Sequence, residues 1–195
     1  MNRDDLLIDG EWRRARRTID VENPATTEVI GTAALGDADD VDAAVAAAKA
    51  ALEPWRSTPA AERADVVDAI ADALERRREE LVSAIVAEVG APISVAGPWH
   101  VDVSIDILRS AARHGRALAA TTHDGVTVLP RGAGVAALIT PWNYPLYQLA
   151  AKIGAALAAG CTVVHKPAEL TPLNAYLFAE ATLEAGLPAG VFSLV

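Results

Sequence analysis

Four side chains in the second half of the chain, Trp142, Asn143, Lys166 and Glu169, with Lys152 between them, are of types that handle charge or stack on a ligand. A lysine and a glutamate three residues apart can donate to and accept from a ribose diol. A carboxylate at that place repels a 2′-phosphate, which favours NAD over NADP. The 17 basic residues are three lysines and fourteen arginines, and two of those lysines, Lys152 and Lys166, fall in this region. Lysine itself is therefore expected to be required there. His100, His114 and His123 lack the spacing of metal ligands, so no metal site is expected. His165 lies in a segment that reads as a buried strand, where a polar ring is expected to find a local hydrogen-bond partner.

These groups need a scaffold that brings residue 143 to residue 166, and the local pattern supplies one. Val135–Thr140 is a short apolar run of the kind seen in buried parallel strands. Pro145 opens a helix with Leu146, Leu149, Ile153 and Leu157 on one face, and Gly160 ends it. Thr162–Lys166 is the next strand, stopped by Pro167. Thr171-Pro172 opens a second helix that ends at Gly186, and Val191–Val195 begins a third strand. This is the first half of a doubly wound α/β sheet. Right-handed crossovers bring the C-terminal ends of parallel strands to one edge, with neighbours about 4.8 Å apart. Thr140–Asn143 and Lys166–Glu169 are thus expected at one ligand-binding edge. The order 3-2-1-4-5 would leave the first strand unpaired on one side, an apolar edge that invites association. There is no G-x-G-x-x-G after the first strand and no P-loop. Gly132-Ala133-Gly134 precedes the strand and cannot cradle a phosphate at its far end.

Upstream, Leu6–Ile8, Asp9-Gly10 and Glu11-Trp12 read as a hairpin. Arg13, Arg14, Arg16 and Arg17 read as a solvated face beside acidic neighbours. From Asp37 the period becomes helical, with Val41, Ala44, Val45, Ala48 and Leu52 on one face and acidic residues in the first turn. Thr58-Pro59 opens a second helix with Pro at its first position, carrying Val66, Val67, Ile70 and Leu74. Arg76, Arg77 and Arg78 with Glu79 and Glu80 read as solvated. A third helix carries Leu81, Ile85 and Val89 and stops at Gly90, and a fourth is expected over much of 92–118.

Composition excludes several classes. A chain of 195 residues with 52% hydrophobic content against 22% charged has the composition of a folded domain, not of a disordered segment. A lone Cys161 excludes a disulfide framework. A net charge of -9 disfavours nucleic-acid binding. The N-terminus has no apolar signal region, and the apolar stretch 135–164 is broken by Pro141, Asn143, Pro145, Gln148 and Lys152, so neither secretion nor a membrane span is expected. A cytoplasmic location is expected.

Thr140-Pro141-Trp142-Asn143-Tyr144-Pro145, then Lys152, then Gly160-Cys161-Thr162-Val163-Val164-His165-Lys166-Pro167-Ala168-Glu169 and Thr171-Pro172 closely resemble the NAD(P)-dependent aldehyde dehydrogenase superfamily. Glu184–Val191, Ile8–Trp12 and Asn23-Pro24-Ala25-Thr26 extend the resemblance over almost the whole chain. It implies that Asn143 is an oxyanion-hole donor, that Lys166 and Glu169 hold the adenosine ribose, and that Thr140, Pro141 and Trp142 line the cofactor. Lys152 matches a lysine linked to proton relay, beside its plain reading as a solvated helix lysine. The organisation implied is a hairpin and helices over 1–120, a strand or hairpin segment of oligomerisation type over 121–134, and the first half of an NAD-binding Rossmann-like domain over 135–195.

In that family a cysteine thiolate attacks the aldehyde, hydride passes to the nicotinamide, and a glutamate-activated water releases the acid. Both residues lie downstream of the segment matched here. Cys161 opens the second strand, at the opposite edge from Asn143, and reads as a small buried residue. The expectation is therefore an N-terminal part of an aldehyde dehydrogenase, inactive alone, that takes an aldehyde only when completed by a C-terminal half and that self-associates or pairs with a homologue. The alternative is a non-catalytic nucleotide-binding or interaction module.

Overall fold

The computed structural model describes residues 1–195 throughout. The N-terminal third is strand-rich: β1 (Asn2–Arg3), β2 (Asp5–Ile8), β3 (Glu11–Arg14), β4 (Arg17–Glu22) and β5 (Val29–Leu35). Asp9 and Gly10 both have positive φ (57° and 76°), the conformation a two-residue hairpin turn demands, and β2 pairs antiparallel with β3 across them. Strands β1, β5 and β4 form a separate three-stranded sheet.

Three helices follow: α1 (Ala38–Ser57), α2 (Ala60–Arg76) and α3 (Arg78–Val89). Asp37 caps α1 in a reciprocal capping box with Asp40. The buried face of α1 holds Ala44 and Ala48 of the expected stripe together with Trp55, and Val45 and Leu52 are half-buried, whereas Val41 is 41% exposed. Small alanines let α1 lie close to the sheet, and the last turn is anchored by Trp55, whose indole N–H donates to the Leu157 carbonyl at 3.2 Å. Pro59 sits one residue before α2 rather than inside it.

The fourth helix, expected over much of 92–118, is interrupted. A short α4 (Ile93–Val95) runs into a π-helical turn, Ala96–Asp102, and only then into α5 (Val103–Arg116). Pro98 has no N–H for an i→i−4 bond, so the ladder must widen or break there. The turn is held from outside: Arg78 donates Nε and Nη2 to the two oxygens of Asp102 at 2.7 and 2.9 Å. Gly97 leaves room for that guanidinium, since a Cβ there would lie 2.8 Å from Arg78 Nη2. Arg76 and Arg77, read from sequence as solvated, reach across to Glu184 and Glu180. The arginine run is thus a set of ties between helices, invisible without the fold because the partners lie far along the chain.

A small hairpin, β6 (Thr121–His123) with β7 (Val126–Val128), stands exposed before the α/β unit. The unit itself is β8 (Val135–Ile139), α6 (Pro145–Ala159), β9 (Thr162–Lys166), α7 (Leu173–Glu184) and β10 (Phe192–Leu194). Strands β8, β9 and β10 are parallel, as expected, but the sheet has five strands in the order β3-β2-β10-β9-β8. The N-terminal hairpin adds antiparallel to β10, with Leu194 opposite Leu7. One edge of the sheet is therefore covered and β8 forms the other. Val163, Leu149, Ile153, Phe178 and Leu194 are among the core residues that seat α6 and α7 on the strands.

Candidate functional site

The register of β8 on β9 places Ile139 opposite Lys166, and the Thr140 amide donates to the Lys166 carbonyl at 3.2 Å. The loop leaving β8 (Thr140–Tyr144) and the loop leaving β9 (Pro167–Thr171) consequently run side by side. Thr171 Oγ1 ties them together by donating to the Trp142 carbonyl at 3.2 Å. Trp142, Asn143, Lys166 and Glu169 thus meet at the C-terminal edge of the sheet, as the topology requires.

Along that edge the groups differ in exposure. Thr140 is buried, whereas Pro141, Asn143 and Tyr144 are exposed and Trp142 is 54% exposed. Lys166 Nζ donates to Glu169 Oε1 at 2.7 Å and to the Pro167 carbonyl at 3.1 Å. The lysine hydrogen bond, helped by the backbone, holds the Glu169 carboxyl below the usual range, so it is ionised at neutral pH. An exposed pair of this kind is worth at most about 1 kcal/mol to folding. Its stabilising role is slight, and both side chains remain free to turn to a ligand. The two also line a cleft with Gly36, Asp37, exposed Val41 and Val195.

A buried carboxylate not foreseen from the sequence supports the edge. Glu88, 3% exposed at the end of α3, accepts from the Leu173 amide at 2.6 Å, the Asn174 amide at 2.9 Å and Asn174 Nδ2 at 2.7 Å. It caps α7, whose own Pro172 makes no side-chain cap. Burial pushes its carboxyl up to about 7, opposed by the Asn174 and Leu173 hydrogen bonds. The only sequence signal was a helix start without a local acceptor other than Thr171, and Thr171 is engaged with Trp142.

Two histidines are also buried. His165, 1% exposed, pairs its Nε2 with Thr140 Oγ1 at 3.0 Å, the local partner expected for it. His100 stacks on Tyr144 with ring centroids 4.3 Å apart, so the π-helical turn packs against the residue following Asn143. Lys152 is not drawn into the edge: its Nζ donates to Gln148 Oε1 at 2.6 Å and to the Gln148 carbonyl at 3.1 Å, one turn back on α6. Cys161 is buried just before β9. A five-residue strand separates it from the loop edge by about 16 Å at 3.3 Å per residue.

The edge therefore offers a cation–carboxylate pair suited to a diol, an indole and a free carboxamide, arranged by two adjacent parallel strands. A family model described as the aldehyde dehydrogenase family matches residues 12–195. The chain belongs to the aldehyde dehydrogenase family. Among its relatives, a 3-succinoylsemialdehyde-pyridine dehydrogenase of a Pseudomonas species is 41% identical over 195 residues, 98% of this chain and 41% of the relative. Aldehyde dehydrogenase C of Pseudomonas syringae, solved as a mutant with NAD+ and octanal, is 46% identical with a TM-score of 0.95, covering 98% of this chain and 40% of that one. An NADP-dependent enzyme of Escherichia coli is 36% identical with a TM-score of 0.95, covering 99% of this chain and 42% of that one. The α/β fold is thus that of the N-terminal part of aldehyde dehydrogenases, and the chain spans about two-fifths of the length of the relatives it matches. No helix is long and apolar enough to cross a membrane.

Proposed function

We propose that this chain supplies the coenzyme-ribose and oxyanion side of an NAD-dependent aldehyde dehydrogenase site of the cytoplasm, and that these 195 residues alone turn over no aldehyde. The observation that carries the reading is the Lys166–Glu169 pair set beside Thr140–Asn143 by the β8–β9 register. The donor set fits half of a dinucleotide: ammonium and carboxylate for a ribose diol, with Thr140, Pro141 and Trp142 along the ligand. The ionised Glu169 carboxylate repels a 2′-phosphate, which favours NAD+ over NADP+. NAD+ when bound supplies the two-electron acceptor. The Asn143 carboxamide donates to the aldehyde oxygen as charge develops on it, a contribution of about 3 kcal/mol for such donors. Lys152 Nζ is engaged by Gln148 one turn back on α6, which supports its plain reading as a helix lysine over a proton-relay role. Buried Cys161, at the far end of β9, is not the nucleophile the family's reaction needs.

Calorimetric titration tests this directly. NAD+ should bind weakly, NADP+ more weakly still, and Lys166→Ala should abolish the heat while leaving the circular dichroism intact. Added aldehyde should produce no NADH absorbance. Equal binding of the two coenzymes, or turnover by the purified chain, would contradict the reading. A second reading, association with a homologue, is favoured by the unpaired β8 edge and by Ile139, which is 73% exposed. Native mass spectrometry of a mixture with a full-length relative should then show a heteromer.

A further inference from the structure

His165 is a polar ring in a buried strand, and its surroundings give it a purpose. His165 sits on β9 beside β8, the two strands that deliver the site. Its backbone carbonyl accepts from the Val195 amide at 2.9 Å, its strand partner on β8 is Leu138, and its Nε2 lies 3.0 Å from Thr140 Oγ1. Thr140 is 4% exposed and is the last buried residue before the exposed Pro141–Tyr144 segment. Without the ring, Thr140 would keep only its backbone bond to Lys166, with a buried hydroxyl left unpaired.

The other ring nitrogen decides the form of the imidazole. Nδ1 is buried with no partner, and the nearest ring is Phe192 at a centroid distance of 6.4 Å. Burial, reinforced by the Lys166 and Lys152 charges, pushes the ring down to about 3, so it is neutral at neutral pH. A neutral ring carries one N–H. An orphaned buried N–H is rarer than an under-satisfied acceptor, so the proton belongs on Nε2, where Thr140 Oγ1 can accept it. The Thr140 hydroxyl proton is then not used in the contact with the ring.

We propose that His165 is a positioning residue: as the neutral Nε2–H tautomer it donates to Thr140 Oγ1, fixes the loop leaving β8 against Lys166, and leaves the Thr140 hydroxyl as a donor toward the coenzyme. Only the last clause rests on the nucleotide reading of this edge.

Nitrogen-15 NMR of the histidine ring, with amide exchange and NAD+ titration on the full chain, tests the proposal. The expected ring spectrum is a fixed Nε2–H pattern that does not titrate between pH 8 and 5. His165→Val should speed exchange of the Thr140 amide about fivefold to tenfold, the size expected for one lost hydrogen bond. Thr140→Val should do the same for the loop, and the double variant should be no worse than either single one. Thr140→Ser, which keeps the hydroxyl, should restore the wild-type exchange rate. An Nδ1–H pattern, an ordinary titration, or additive effects in the double variant would overturn the proposal. If NAD+ fails to bind even the wild type, the nucleotide reading falls, while the exchange and tautomer data still judge the brace.

Discussion

Replacing Glu88 by alanine should cost more stability than any single change at the exposed edge. The substitution removes the acceptor for the Leu173 and Asn174 amides and for Asn174 Nδ2, all buried. Each orphaned donor costs about 1–3 kcal/mol, partly offset by no longer burying a carboxylate, so the net loss should be about 4 kcal/mol. With a urea m-value of about 2 kcal/mol/M for a chain of this size, the midpoint should fall by about 2 M. Glu88→Gln keeps one oxygen for Asn174 but turns its own N–H2 toward the Leu173 amide, and should lose about half as much. Urea unfolding followed by circular dichroism measures both, and amide exchange at Leu173 and Asn174 locates the damage. The reasoning fails if Glu88→Ala lies within 1 kcal/mol of wild type, or if the glutamine variant is as damaged as the alanine one. The consequence reaches the site, because α7 begins two residues beyond the loop that carries Glu169.

Other outcomes follow from the same contacts. The His165 ring, pushed down to about 3, refuses in the folded chain a proton that the unfolded chain takes up near pH 6.5. Its stabilising contribution is therefore full above about pH 6.5 and is lost as the pH falls, by about 2 kcal/mol at pH 5 relative to His165→Val, measurable as a pH-dependent gap between two urea curves. The unpaired β8 edge should make the chain self-associate, and Ile139→Lys should lower the sedimentation coefficient at high concentration toward that of a monomer. A wild-type monomer at every concentration would remove the basis for that expectation.

The parts of the structure that were legible beforehand are those set by local pattern. β8, α6, β9 and α7 follow from apolar runs punctuated by Pro145, Gly160 and Pro167, and parallel crossovers then bring residues 140–143 to 166–169 without any knowledge of side-chain contacts. What could not be read depends on pairs far apart in the chain. Glu88 caps a helix 85 residues later, Arg77 reaches Glu180, and the β2–β3 hairpin finds β10 only in three dimensions. The π-helical turn was hidden because helical periodicity continues on both sides of Pro98, while the Arg78–Asp102 pair that ties the turn down joins residues far apart in the chain. Val41 has the right spacing for a core face but lines the cleft beside Lys166 and Glu169.

The most direct test of the central claim is a heteronuclear NMR map of the chain on addition of NAD+. The amide shifts of Thr140, Trp142, Asn143, Lys166 and Glu169 should move together, with the exposed β6–β7 hairpin unchanged, and NADP+ should move them less at the same concentration. Shifts scattered away from this edge, or none at any NAD+ concentration, would contradict it.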